Sequence, residues 1–340
     1  MNGQHTPGDL KKAKQEAVKL LLRPNGNVVG VGIGEKETDG TPTTRECVRI
    51  YVVSKLYAEA LSPAARVPSS VLGVPTDVIE VERFGRKGRQ PKPSRGRTPK
   101  SEEDTRPRPG ASIRVKTSAP NVNSGFLGTL GAVVTDGKHK YILSCNHNMA
   151  SNGRVPLDAT IVSAEFVGIE EDLATAPRPV PLAEDSSNFV DCALAELNLD
   201  KVQPTILGNL ALDSDDPIAP TRGMKIVKFA GNGDVQGTIV DVDADLYVDY
   251  SFGTFRLDDQ VIIKGDQIKG DRNDFAVAGD SGTMVIAREK NQATAMILAS
   301  SGQFAVACPL PAVFEELNRI LKVKEKLKLC LPPKAAAQTT

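Results

Sequence analysis

From residue 112 onward the chain is written in short apolar runs, each cut off by a turn-forming residue before a helix of ordinary length could form. The clearest are Gly131–Val134, Tyr141–Ser144, Met224–Phe229, Thr238–Val242, Gln260–Ile263, Gly282–Ala287 and Ala295–Ala299. Runs this short, rich in β-branched and aliphatic residues and bounded by Gly, Asn and Asp, fit a pleated, half-buried surface better than a helix. Many of them in succession specify sheets that close or stack, so an all-β barrel or sandwich is expected here. One segment breaks the pattern. From Pro311 to about Leu327, residues Val313, Phe314, Leu317, Ile320 and Leu321 share one face of a helix. Residues 328–340, ending in PPKAAAQTT, have little to bury and are expected to be loose.

The first 84 residues are of a different kind and predict a small α/β unit. Leu10 to Leu22 is an amphipathic helix candidate with Ala13, Ala17, Leu20 and Leu21 at helical spacing, stopped by Pro24-Asn25-Gly26. Val28–Ile33, Val48–Val53 and Val78–Val81 have strand composition. Gly30-Val31-Gly32-Ile33-Gly34 invites a nucleotide-binding interpretation, but it lacks the G-x-G-x-x-G spacing and a polar turn follows it, not a helix. Glycines of a strand are the plainer interpretation. Between this unit and the β-rich region, residues 85–111 are rich in Arg, Lys, Pro and Gly and almost free of apolar side chains. Such a stretch cannot offset its chain entropy by burial and is expected to be a disordered basic linker. The alternative is an electrostatic docking strip for an acidic partner.

Composition narrows the function classes. Lys+Arg and Asp+Glu balance at 42 each over 340 residues, so no net field points to nucleic acid or an anionic membrane as partner. No run has the length of a transmembrane helix, and the first residues do not have the pattern of a secretory signal. The five cysteines, Cys47, Cys145, Cys192, Cys308 and Cys330, are odd in number, widely spaced and without a C-x-x-C. That argues against a disulfide framework and a structural zinc, and a cytoplasmic location is expected. Neither a metal nor a cofactor is called for. Asp241, Asp243 and Asp245 imitate the start of a calcium loop, but Leu246 stands where its glycine belongs and Phe252 where its glutamate belongs. Alternation within IVDVDADLYVDY predicts a strand with one solvent face.

Three local patterns carry chemistry. In Gly279-Asp280-Ser281-Gly282 a serine stands on a tight turn, where its hydroxyl can project and nearby amides can converge on an oxyanion. Gly279 lets its amide approach a substrate without a side chain in the way, so the N–H groups of Gly279 and Ser281 are the candidate oxyanion hole. Gly, Asp and Ser also make ordinary β-turns. In Lys140–His147 an apolar run ends on a histidine, the usual base for activating a serine. Of the two other histidines, His5 lies near the amino terminus and His139 in a hairpin-like Asp136-Gly137-Lys138 context. A structural histidine at a strand end is the competing interpretation. In Asn188–Ala195 an acid, Asp191, interrupts an apolar run, where an unpaired carboxylate would be costly. A histidine N–H is a suitable partner for it, as are backbone amides.

These three segments together resemble the trypsin/chymotrypsin-like serine peptidase family. The order His147, Asp191, Ser281 is that family's order, and the intervals of 44 and 90 residues are similar to those of a compact member. YILSCNH, FVDCALAEL and GDSGTMVIA resemble its three motif strands, over roughly residues 113–325. The resemblance implies a double β-barrel with a C-terminal helix at 112–327, and a serine endopeptidase acting on a protein or peptide through an acyl-enzyme. It also implies that Ser300, Ser301 and Gly302 line the specificity pocket and that Phe275 sits at its base, disfavouring a basic substrate side chain. The chain departs from the family's pattern at Ser144, Cys145 and Asn146 and at Thr283, and it offers no evident new amino terminus to pair with Asp280. The N-terminal unit is similar to the leading domain of intracellular bacterial and plant trypsin-like proteins of the narrow-leaf type, and a partner protein could bind there. The other function class consistent with these residues is a non-enzymatic interaction protein that keeps a protease fold.

Overall fold

The computed structural model describes residues 5–38, 41–85, 106–116, 127–164, 170–198, 202–204, 206, 210–230, 233–266, 274–322 and 325–332. Most of the expected linker (86–105) and of the expected loose tail (333–340) lies outside them. The chain opens with helix α1 (Pro7–Leu21), followed by β1 (Val28–Thr38), β2 (Thr41–Val52), β3 (Ser70–Val71) and β4 (Val74–Glu80). Next come β5 (Ser112–Lys116), β6 (Gly128–Thr129), β7 (Ala132–Thr135), β8 (Lys140–Ser144), a short helix α2 (Asn146–Met149), β9 (Thr160–Ser163), β10 (Asp172–Pro179) and β11 (Ala193–Leu197). The rest is β12 (Lys225–Ala230), β13 (Gly233–Tyr250), β14 (Gly253–Gly265), β15 (Met284–Ala287), β16 (Gln292–Ser301), β17 (Phe304–Pro309), α3 (Leu310–Leu321) and β18 (Lys328–Leu329).

The fold is mainly β, with two curled sheets and a C-terminal helix, as the run pattern predicts. In the later sheet the order β12-β15-β16-β17-β14-β13 returns to its start through a β12–β13 pairing, which closes six antiparallel strands into a barrel. The earlier sheet runs β18-β7-β8-β11-β10-β9-β5-β6. Only Leu130 and Gly131 separate β6, at one end of this order, from β7 near the other, and Leu130 N–H extends the β5–β6 pairing by donating to Ala111 O at 2.9 Å. The largest apolar cluster lies between the sheets. It joins Leu143 and Val134 of one, Met284 and Met296 of the other, and Val313, Phe314 and Leu317 of α3. Helix α3 stops at Leu321, short of the expected Leu327, because Lys322 takes a left-handed conformation (φ 51°) and Asn318 accepts Leu327 N–H at 2.9 Å. The returning chain forms β18 on the edge of β7.

Helix α1 begins at Pro7, before the expected Leu10, because Thr6 and Asp9 form a reciprocal capping box and Pro7 fits the first turn. Its buried face holds Leu10, Ala13, Lys14, Ala17 and Val18, whereas Leu20 is exposed. Lys14 is inward because it pairs with Asp245 on β13. That contact belongs to a wider junction. Strand β1 pairs antiparallel with β13 (Gly30 opposite Leu246), so β3, β4, β2 and β1 extend the sheet of the closed barrel. The expected solvent face of β13 is therefore covered, with Asp241 and Asp245 both buried. Gly32 and Gly34 leave the room: a Cβ at 32 would collide with the Asp241 carboxylate, and one at 34 with the Arg49 guanidinium. The glycines of GVGIG admit buried charged groups to a strand. Burial pushes the Asp241 carboxyl up to about 6, against the lowering effect of the Asp243 and Ile33 amides and of Arg49. No helix among the described residues is long and apolar enough to cross a membrane.

Candidate active site

Strands β8 and β11 are paired with Ser144 opposite Ala193, so the residues just beyond their ends are neighbours. That register brings α2, which carries His147, onto Asp191. The Asp191 carboxylate is fully buried and accepts twice from His147, at 3.1 Å from the backbone N–H and at 2.5 Å from Nδ1. A carboxylate can only accept, so Nδ1 carries a proton, and in the neutral imidazole Nε2 keeps its lone pair. Burial raises the Asp191 carboxyl, but the charge and hydrogen bonds of His147 outweigh it and hold it below the ordinary carboxylate range. Asn146 pins the start of α2 by donating to Val180 O at 2.9 Å and accepting from Asn152 N–H at 2.9 Å.

Ser281 follows a turn over 277–280, closed by Asp280 N–H donating to Val277 O at 3.0 Å, with Gly279 at φ 98° in its third position. A positive φ there is the requirement of a type II turn, and a side chain at 279 would be strained. Behind the turn, Asp280 Oδ2 accepts from Val277 N–H at 2.8 Å and from Lys228 Nζ at 2.6 Å. The Lys228 side chain is fully buried, in phase with Ile226 and Ala230 on the inner face of β12. In front, the carbonyls are held away. Gly279 O accepts the Thr129 hydroxyl at 2.7 Å, and Ser281 O accepts Thr129 N–H at 2.9 Å and the Asn148 amide at 2.7 Å. Amides of Asp280, Gly282 and Thr283 all donate within the fold. Those of Gly279 and Ser281 donate to nothing among the described residues, and both residues line the same cavity. Two unengaged N–H groups flanking the turn before the serine hydroxyl are what a developing oxyanion requires.

The cavity is about 320 Å³ and is lined by His147 and Ser281 together, with Val248, Tyr250, Phe252, Val277 and Leu298 among its apolar walls. The Tyr250 ring centre is 5.2 Å from that of His147. Ser281 Oγ donates to Leu298 O at 3.0 Å and is not hydrogen-bonded to His147. Of the pocket residues expected from the resemblance, Ser300 lines the cavity. Ser301 is buried and donates to Glu82 O at 2.6 Å, and Gly302 (φ 56°) turns the β16–β17 hairpin. Phe275 is fully buried in the core of the closed barrel with Ile226, Ile239 and Val285, and is not among the cavity walls.

Cys145 Sγ, His147 and Asp191 lie close enough to suggest a metal site, within 4.8 Å. The thiol donates to Ile297 O at 3.3 Å, and burial pushes its pKa well up. All five cysteines are free. Thr129, Asn148 and Lys228 also support the site, and the sequence motifs do not include them. Only Lys228 left a signal, as a lysine in phase with the inward residues of MKIVKFA.

No protein-family model and no curated protein sequence matches the chain. Several solved structures are similar in fold. Thermobifida fusca protease A is 13% identical, with 66% of this chain and 98% of that one covered at a TM-score of 0.43. A glutamic-acid-specific serine protease is also 13% identical, over 66% of this chain and all of that one, at 0.42. The chymotrypsin of Cellulomonas bogoriensis is 15% identical, over 66% and 98%, at 0.39. The roles of residues in this chain therefore rest on its own geometry.

Proposed function

We propose that the protein is a serine endopeptidase with Ser281 as nucleophile, His147 as base, Asp191 as orienter and the Gly279 and Ser281 amides as oxyanion hole. The observation that carries this reading is the pair of unengaged amides in the cavity that also holds Ser281 and an Asp191-oriented imidazole. For reaction, Ser281 Oγ–H has to leave Leu298 O and donate to Nε2 of His147. As Oγ attacks the peptide carbonyl carbon, its proton passes to Nε2, and the carbonyl π electrons move to the oxygen between the two amides. The imidazolium, stabilised by Asp191, then protonates the leaving amine, and the C–N bond breaks to leave an acyl-Ser281. Water, deprotonated by the same Nε2, releases the acid and restores the serine. Similar architectures support a peptide substrate as the substrate class.

The second reading is an interaction protein that keeps the fold without the chemistry, and it draws on the Ser281–Leu298 hydrogen bond. A fluorophosphonate probe separates the two. We expect stoichiometric labelling at Ser281 that is lost in Ser281→Ala and in His147→Ala. An unlabelled, folded wild-type protein would overturn the peptidase reading.

A further inference from the structure

The N-terminal unit does more than extend a sheet. Beyond β4, the Glu82–Gly85 segment runs to the cavity, where Gly85 is one of the lining residues. It touches both walls there. Phe84 O accepts Asp249 N–H at 3.0 Å, and Gly85 bridges Asp249 in parallel, at the end of the β13–β14 hairpin that carries Tyr250 and Phe252. Glu82 O accepts Ser301 Oγ at 2.6 Å, at the end of the strand that carries Leu298 and Ser300. Phe84 anchors the strap: it is fully buried, with its ring edge-on to Tyr51 at 6.3 Å. Gly85 is at φ 108°, and a Cβ there would run into Asp249 O. Only glycine allows this close approach without strain.

We infer that the Glu82–Gly85 strap is a built-in wall of the substrate cleft, so that the N-terminal unit takes part directly in selecting the peptide. This rests on the peptidase reading for the identity of the ligand as a peptide. The cavity also defines the side chain it takes. Val248, Phe252, Val277 and Leu298 are apolar, and no Lys or Arg is among the described lining residues. Asp249, the acidic residue among the described lining residues, has its carboxylate engaged by the Thr254 hydroxyl at 2.8 Å. An uncharged aliphatic side chain such as leucine leaves no buried charge unpaired in such a site. The strap fixes the separation of the two walls and hence the width available to that side chain.

Binding can be measured without turnover, in full-length protein carrying Ser281→Ala, by fluorescence anisotropy of labelled peptides that differ only in a central leucine, alanine or lysine. Leucine is expected to bind best. Gly85→Ala pushes the strap off the hairpin and is expected to weaken the leucine peptide by about tenfold while affecting the alanine peptide less, so that selectivity narrows. Ser301→Ala removes one hydrogen bond to the strap and is expected to act in the same direction by about threefold. It keeps the test open if Gly85→Ala does not fold. Unchanged affinity and selectivity in folded Ser301→Ala and Gly85→Ala proteins would overturn the inference, as would an equal loss for all three peptides. Failure of the peptidase reading shows separately, as absence of fluorophosphonate labelling in wild type.

Discussion

Lys228 is an unusual choice for the wall of a barrel, and its replacement by methionine isolates what it does. Its ammonium lies 2.6 Å from Asp280 Oδ2, with side-chain exposures of 0% and 7% for the two residues. Burial lowers the Lys228 pKa and the Asp280 charge opposes that shift, as expected of a desolvated pair. Methionine keeps most of the volume and removes the charge, leaving the Asp280 carboxylate with the Val277 amide at 2.8 Å among its remaining contacts. Breaking a buried pair in this way costs about 3–5 kcal/mol, a large share of the roughly 5–15 kcal/mol that holds a typical domain together. Because Asp280 precedes Ser281 and braces the turn over 277–280, the native fraction should also react more slowly with a fluorophosphonate. The assay is urea denaturation at neutral pH together with the labelling rate. In Lys228→Met/Asp280→Asn the side chain is neutral and its amide oxygen can still accept from Val277, so about 2 kcal/mol should be recovered through coupling of the two sites. The reasoning is refuted if Lys228→Met lies within about 1 kcal/mol of wild type, or if the double variant is no more stable than the single one.

Asp191→Asn should reduce acylation by a factor on the order of 10⁴, because the amide can donate to Nδ1 and favour the wrong imidazole tautomer; stopped-flow labelling reads this, and a loss under tenfold would count against Asp191 as orienter. Thr129→Val removes the hydroxyl that holds Gly279 O at 2.7 Å. It should cost about 1 kcal/mol of stability and slow labelling, and unchanged labelling would show that this contact does not position the turn. Asp241 gives a pH signature. Burial holds its carboxyl at about 6 in the fold against an ordinary value of 3.8, so between these values the folded state holds a proton that the unfolded state has lost. Stability from this group falls as pH rises through that window, by about 3 kcal/mol in all, and is constant above it. The difference in urea midpoint between wild type and Asp241→Asn should therefore change between pH 4 and pH 7, and a flat difference would contradict the assignment.

Strand text, turn residues and one amphipathic stretch were enough to read a mainly β fold with a terminal helix, because these signals are local and repeat within a few residues. Gly279-Asp280-Ser281, the histidine ending the run at 147 and the acid inside the run at 191 were legible for the same reason: each is odd in its own immediate context. What no local signal contained is which strands lie side by side. Gly30 faces Leu246 across more than two hundred residues of sequence, and that register alone turns the polar face of β13 into an interior and buries Asp241 and Asp245. It also delivers Gly85 to the cavity. Lys14 and Lys228 are each buried because a partner from a distant strand or loop, Asp245 and Asp280, meets it. A composition or period of two or 3.6 residues states what a segment can bury; only the closed sheet, by choosing its neighbours, decides what it does bury.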